Sequence, residues 1–154
     1  SSDHCEINFK VKFYTQLSEQ VKVLGNIPQL GAWDPSKAFP LTTSPEKYPF
    51  WVSETPIQLK KGNSFHFESH ISPQGTKIEF KFARFVGDSL KQWENLPSGE
   101  NRHYRVMCYK TTLECFEGST AIAENIVQRF LSNDAIPSGN QKTIGTSSST
   151  LAML

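Results

Sequence analysis

The sequence predicts an all-β chain: an antiparallel β-sandwich followed by a short C-terminal helix and a linker-like tail. Three observations carry that expectation. Apolar and polar residues alternate in run after run, the period of a strand with one buried face. The runs recur at intervals of about 8–12 residues between Gly, Pro and Asn turns, the spacing of a sandwich. Eleven of the 154 residues are phenylalanine, a large aromatic payload for the space between two sheets.

The elements follow in order. "INFKVKFY" places Ile7, Phe9, Val11 and Phe13 on one face and Asn8, Lys10 and Lys12 on the other. "QVKVLG" alternates through Val21 and Val23 and stops at Gly25. "FWVSETPIQL" runs extended from Phe50 to Leu59, with Pro56 demoting part of it to an edge or a bulge. Trp51, flanked by Phe50 and Val52, reads as core. Gly62-Asn63 supplies a turn into "FHFESHI", Phe65 to Ile71, and "ISPQGTK" supplies the next. "KIEFKFARF" sends Ile78, Phe80 and Phe82 inward and Glu79, Lys81 and Ala83 outward. "NRHYRVMCYKTTLECF" closes the set as one long strand or two. After Gly118 the pattern changes. "STAIAENIVQRFL" carries Ile122, Ile126, Val127, Phe130 and Leu131, a helical stripe with Ser119 or Thr120 as N-cap. "SNDAIPSGNQKTIGTSSST" reads as a linker. The chain thus divides into a β domain over residues 1–117 and a helix with tail over 118–154.

Composition excludes several functions. Sixteen basic against fifteen acidic residues leave a net charge of +1, with no field to gather a polyphosphate, so nucleic acid is not expected. No apolar run is long enough to cross a bilayer, and no membrane contact is expected. The first residues lack an apolar signal core and a starting Met, and read as a mature or excised fragment. Cys5, Cys108 and Cys115 are odd in number and not spaced as CxxC; they read as reduced, buried thiols. The absence of an Asn-x-Ser/Thr site leans toward the cytosol. No P-loop, Rossmann glycine pattern or nucleophile elbow occurs, so no cofactor is expected. His66, Glu68 and His70 would share one strand face and offer zinc-type ligands, but without a fourth group they read as a polar outer face. Asp34 and Glu94 are the carboxylates that could converge for glycosidase chemistry. Neither sits in an apolar context that would raise its pKa, so no catalytic residue is expected.

Trp33 in "LGAWDPS" and Trp93 in "KQWENLPSGEN" remain. Each stands in a polar loop beside a carboxylate. An indole held open on a stiff sheet is a flat apolar platform with one N–H donor. It matches the apolar face of a glucose ring, while polar groups at the rim reach the hydroxyls.

"VKVLGNIPQLGAWDPSKAFPL", "YPFW", "IEFKFARF", "QWEN" and "ENRHY" stand here in one order. Over roughly residues 7–110 the chain resembles the starch-binding domains, carbohydrate-binding module family 20. The resemblance implies an immunoglobulin-like antiparallel sandwich that binds α-1,4-glucans such as starch and glycogen and performs no chemistry itself. It implies a first binding site at Trp33, Lys81, Trp93, Glu94 and Asn101. Of the tyrosines of the family's second site it carries over Tyr48, while Leu17 stands where another tyrosine is expected. "NLPSGENR" is longer than the family's usual loop, which could move Asn101, and Glu94 could instead form a surface ion pair with Arg102. The family's members are fused to amylases, glucan phosphatases, dikinases and phosphodiesterases. The expected partners are therefore an α-glucan and a tethered further domain, with the module itself a monomer. The alternative from another class is a protein-interaction or adhesion sandwich whose tryptophans are covered by a partner or by the C-terminal helix.

Overall fold

The computed structural model describes residues 4–60, 75–107 and 110–128. The strand expected at 65–71 with His66, Glu68 and His70, and likewise Cys108 and the tail after Gln128, lie outside the described residues. The strands are β1 His4–Lys12, β2 Gln20–Gly25, β3 Phe39–Pro40, β4 Phe50–Val52 and β5 Ile57–Lys60, then β6 Lys77–Val86, β7 Ser89–Trp93, β8 Arg102–Arg105, β9 Lys110–Phe116 and β10 Ser119–Gln128.

Among the described residues these strands form two five-stranded sheets. One runs β10-β9-β1-β4, with β5 also paired to β1; the other runs β3-β2-β6-β7, with β8 also paired to β6. The pairs are antiparallel except β1 with β9, which runs parallel from Glu6↔Lys110 to Lys12↔Phe116. The sandwich is therefore mixed rather than purely antiparallel.

The alternation in β1 and β6 builds the core. Cys5, Ile7, Phe9, Val11 and Phe13 are buried, as are Ile78, Phe80 and Phe82. Across the gap between the sheets Phe9 meets Phe80 and Phe82 edge-on, at 5.3 and 6.1 Å between centroids. Trp51 is buried and its Nε1 donates to the Phe13 carbonyl at 3.1 Å, so the core reading holds. Pro56 breaks the extended run into β4 and β5. At the break Ser53 substitutes for a ladder partner: its N–H donates to the Phe9 carbonyl at 3.1 Å and its hydroxyl accepts from the Phe9 N–H at 2.9 Å. Cys5 and Cys115 are buried, and burial pushes the Cys115 thiol up to about 12.

The long run before Phe116 is two strands on different sheets, with buried Val106 between them. The helix expected from Ser119 is corrected. Residues 119–128 form β10, antiparallel to β9 from Ser119↔Phe116 to Gln128↔Lys110; residues 129–131 of that expected helix lie outside the described residues. Gly118, at φ +83°, turns the chain directly back. The sequence misled because Ile122 and Ile126 are four apart, a spacing that one face of a helix and one face of a strand both satisfy. Two irregularities in the β9–β10 register, between Ser119 and Ile122 and between Ile126 and Gln128, further blur the period of two. Ile122 packs against the core, and the Tyr104 hydroxyl donates to Glu124, tying β8 to β10.

Ala83 also departs from expectation: it faces outward but is fully buried. Leu24, Ala83 and Phe85 form a second apolar cluster, covered by Trp33, Ala38 and Leu90. The outward face of β6 is thus apolar in its second half, at Ala83 and Phe85.

If β10 completes the sandwich, a chain ending at Glu117 should unfold at lower urea than one ending at Gln128. Loss of the half-buried Ile122 alone predicts a deficit of about 1–2 kcal/mol. Equal midpoints would show that β10 contributes nothing.

Candidate functional site

Trp33 lies in a turn because the turn folds back over the sheet. At the end of β2, a Cβ on Gly25 would come within 2.7 Å of the Glu79 carbonyl and of Leu30. The turn Pro28–Trp33 is anchored by buried Ile27 and Leu30 and by donation from the N–H groups of Leu30 and Ala32 to the Ile27 carbonyl, at 2.9 and 3.0 Å. It then takes three successive left-handed residues, Gly31, Ala32 and Trp33, at φ 82°, 49° and 67°. That conformation costs about 1–2 kcal/mol at a non-glycine residue, and the anchored residues on either side hold it. A Cβ on Gly31 would lie 2.7 Å from the Lys37 carbonyl, so that position has no room for a side chain. Asp34 then caps the turn Pro35–Lys37, accepting from the Ser36 N–H at 3.0 Å and its hydroxyl at 2.9 Å. The hydroxyl bond, then the backbone bond, hold the Asp34 carboxyl below the ordinary carboxylate value.

Trp93 ends β7, opposite Ala83. Glu94, the next residue, is not at the surface. Its side chain and that of Arg102 are fully buried, and they meet in a two-pronged ion pair: Arg102 Nη2 donates to Oε1 at 2.7 Å and Nε to Oε2 at 2.8 Å. Oε2 also accepts from the Phe82 N–H at 2.9 Å, while the Glu94 N–H donates to the Phe82 carbonyl at 3.0 Å. Arg102 lies over the Phe82 ring and donates from Nη2 to the Phe116 carbonyl at 2.9 Å, reaching β9. Burial works against the Arg102 charge, but the Glu94 hydrogen bonds and neighbouring charges outweigh it, and the pKa is raised. Two sequence expectations change here. The Glu94–Arg102 pair is a buried joint instead of a light surface contact, and Glu94 spends its carboxylate on Arg102 and Phe82 rather than presenting it to a ligand.

The two indoles come together. The Trp33 and Trp93 centroids are 6.1 Å apart with ring planes at 63°. Trp93 is 37% exposed and Trp33 half-buried, so neither ring lies in the interior. With Lys81 and Asn101 they line an open hollow of about 320 Å³. Lys81 points outward from β6, between buried Phe80 and Phe82. Asn101 arrives just ahead of β8, after a loop pinned by buried Leu96 and tightened by a short turn at Pro97–Gly99. The longer loop therefore still delivers Asn101 to the hollow. Four of the six sequence-named residues are brought together.

Tyr48 is not among the residues lining this hollow. It sits edge-on to exposed Tyr14, centroids 6.3 Å apart, and its hydroxyl accepts from the Thr15 N–H at 2.8 Å and donates to the Thr15 carbonyl at 3.0 Å. Among the described residues no group of three His, Cys, Asp or Glu is placed to hold a metal. Sequence reasoning named Arg102 as a partner of Glu94 but missed its burial. Arg102 carried a signal, since β8 alternates as RHYR and its first residue shares the inward face with Tyr104.

A family model described as "Starch binding domain" matches residues 4–115. The chain belongs to the starch-binding domain family. It is a carbohydrate-binding module of β-sandwich fold. The AA13 family lytic polysaccharide monooxygenase A of Pyricularia oryzae is 34% identical over 102 residues, covering 65% of this chain and 22% of that protein. Glucoamylase-1 of Arthroderma benhamiae is 30% identical over 100 residues, covering 65% and 14%. Among solved structures, the gamma-CGTase of the alkalophilic Bacillus clarkii superposes with a TM-score of 0.57 at 27% identity, covering 75% of this chain and 15% of that one. The starch-binding domain thus spans under a quarter of the length of these relatives.

Two outcomes follow from this geometry. Truncating either Glu94 or Arg102 to alanine leaves an unpaired buried charge, and each should cost about 3–5 kcal/mol in urea unfolding; a loss below about 1 kcal/mol would return the pair to the surface class. Asp34→Ala should lower the thermal midpoint near neutral pH. Because the folded carboxyl is lowered, its contribution is present above the unfolded value of 3.8 and fades as pH falls through the lower folded value. The gap between wild type and variant should therefore close in acid; a gap that widens there would refute the cap.

Proposed function

We propose that the starch-binding domain holds α-1,4-glucan by stacking sugar rings on Trp33 and Trp93, and thereby brings an attached domain to the polysaccharide. The single observation that supports this is the indole pair facing an open hollow with Lys81 and Asn101 at its rim. Two platforms inclined at 63° do not suit a flat ribbon of sugars, whose successive rings share one plane. They suit a chain that turns between neighbouring rings, and the α-1,4 linkage makes such a chain. Lys81 offers donors and Asn101 an amide, the groups that hydroxyls at the edge of a ring require.

The hollow is open and its polar rim must shed water, so binding to one short oligosaccharide should be weak, about micromolar to millimolar. On a polymer the gain comes from effective concentration, once an attached domain engages the same substrate. The much greater length of the matched relatives supports such an attachment.

Fluorescence titration with maltoheptaose and β-cyclodextrin, beside a cello-oligosaccharide of similar length, tests the reading. The α-linked ligands should perturb tryptophan emission and the β-linked one should not. Trp33→Ala and Trp93→Ala should each weaken binding by about 1–3 kcal/mol, the scale of one lost aromatic stack, with the fold intact by circular dichroism. Equal response to both linkages, or unfolding of both variants, would overturn it.

A further inference from the structure

Glu79 lies two residues before Lys81, on the same outward face of β6. We infer that Glu79 is a positioning residue of the sugar site: it fixes which end of the Asn101 amide the ligand meets. This rests on the stacking reading given above. Asn101 Nδ2 donates to Glu79 Oε1 at 3.3 Å. A carboxylate can only accept, so the amide NH₂ is turned toward Glu79. The carbonyl Oδ1, the opposite corner of the same planar group, is the end left for the hollow. The site then has a fixed polarity, with an acceptor at Asn101 and ammonium donors at Lys81. A pair of neighbouring ring hydroxyls satisfies it when one donates to Asn101 and the other accepts from Lys81.

Glu79 is well placed to impose this because both its backbone groups are held by Asn26. Its N–H donates to Asn26 Oδ1 at 3.0 Å, and its carbonyl accepts from the Asn26 N–H at 2.9 Å. Gly25 permits that approach, since a Cβ there would stand 2.7 Å from the Glu79 carbonyl. Asn26 opens the loop that ends at Trp33, so one residue ties the base of the indole loop to the orientation of Asn101. The second carboxylate oxygen lies 3.8 Å from His103 Nδ1 across the β6–β8 register.

Four proteins test it, each titrated calorimetrically with β-cyclodextrin: wild type, Glu79→Gln, Asn101→Asp, and the two changes combined. Glutamine at position 79 can donate to Asn101 Oδ1 and turn the amide round, so Glu79→Gln should weaken binding about five- to tenfold. Asn101→Asp sets two carboxylates face to face and should also weaken binding. In the combined variant the glutamine NH₂ donates to one aspartate oxygen and leaves the other as an acceptor toward the hollow. Its affinity should return to within about threefold of wild type. A merely structural role for Glu79 predicts no such recovery.

A second cycle guards against a poorly folded variant: in an Asn101→Ala background, Glu79→Gln should change affinity by less than about twofold, because its intermediary is gone. Wild-type binding with an unaffected Glu79→Gln, or a combined variant no better than Asn101→Asp, overturns this inference and leaves the stacking site standing. A wild type that binds no cyclodextrin removes the stacking site, and this inference with it.

Discussion

The carboxylate of Glu94 and the guanidinium of Arg102 are both shut away from water, and neither charge is tolerable there alone. Each loses several kcal/mol of hydration on burial, which only close, multiply bonded pairing can offset. The observed geometry meets that demand on the carboxylate: both oxygens are taken by Arg102, and Oε2 also takes the Phe82 amide. Because β6, β7, β8 and β9 each contribute a partner or an immediate neighbour to the pair, one joint sets their relation to one another. Trp93 precedes Glu94 and Asn101 precedes Arg102, so two of the four residues lining the hollow are chain neighbours of the pair. The rim is held from beneath by a fully buried charge pair.

The other indole is held by different means. Trp33 ends a turn of three left-handed residues, a conformation kept because Leu30 and Ile27 are buried on one side and Asp34 caps the next turn on the other. The turn lies on Leu24, Ala83 and Phe85, so the strain is balanced by apolar burial on the outer face of the second sheet. This explains how a large side chain can remain half-exposed and still be fixed. One side of the loop packs on the sheet, and the hollow opens on the other.

The strands with clean alternation were legible in the sequence. In β1, β2 and β6 the inward Phe, Ile and Val positions follow from period two alone, and Trp51 was readable from its apolar neighbours. The boundary after Phe116 was not legible, because Ile122 and Ile126 satisfy helix and strand equally and only pairing with β9 decides between them. Strand β7 was obscured for a related reason: SLKQW is exposed or half-exposed along its length, so it lacks the apolar face that marks a strand. At the site, family motifs named the residues of the hollow, but they could not separate a residue that faces the hollow from one that supports it. Glu94 sits beside Trp93 in sequence, yet its side chain points into the sandwich because successive residues of an extended chain project to opposite faces. The same rule, applied to RHYR, would have sent Arg102 inward beside Tyr104 and supplied the buried cation that Glu94 needs.

A rigid hollow of this kind has a definite thermodynamic character. On the proposed stacking, the indoles are set by buried anchors before any sugar arrives, so little side-chain freedom is lost when a ring settles on them. What remains to be overcome is polar: hydroxyls and rim groups both give up water, and they recover it only if donors meet acceptors. Stacking alone would accept either face of many sugars, since a flat apolar surface reads little beyond shape. Direction must come from the rim, and there the amide of Asn101 is the group with two unlike ends. An amide free to turn could meet a hydroxyl as donor or acceptor and would discriminate poorly between ligand orientations. On the inference drawn above, a carboxylate fixed behind it removes that freedom, so the strand that carries Glu79 gives the apolar platform a polar rim of fixed orientation.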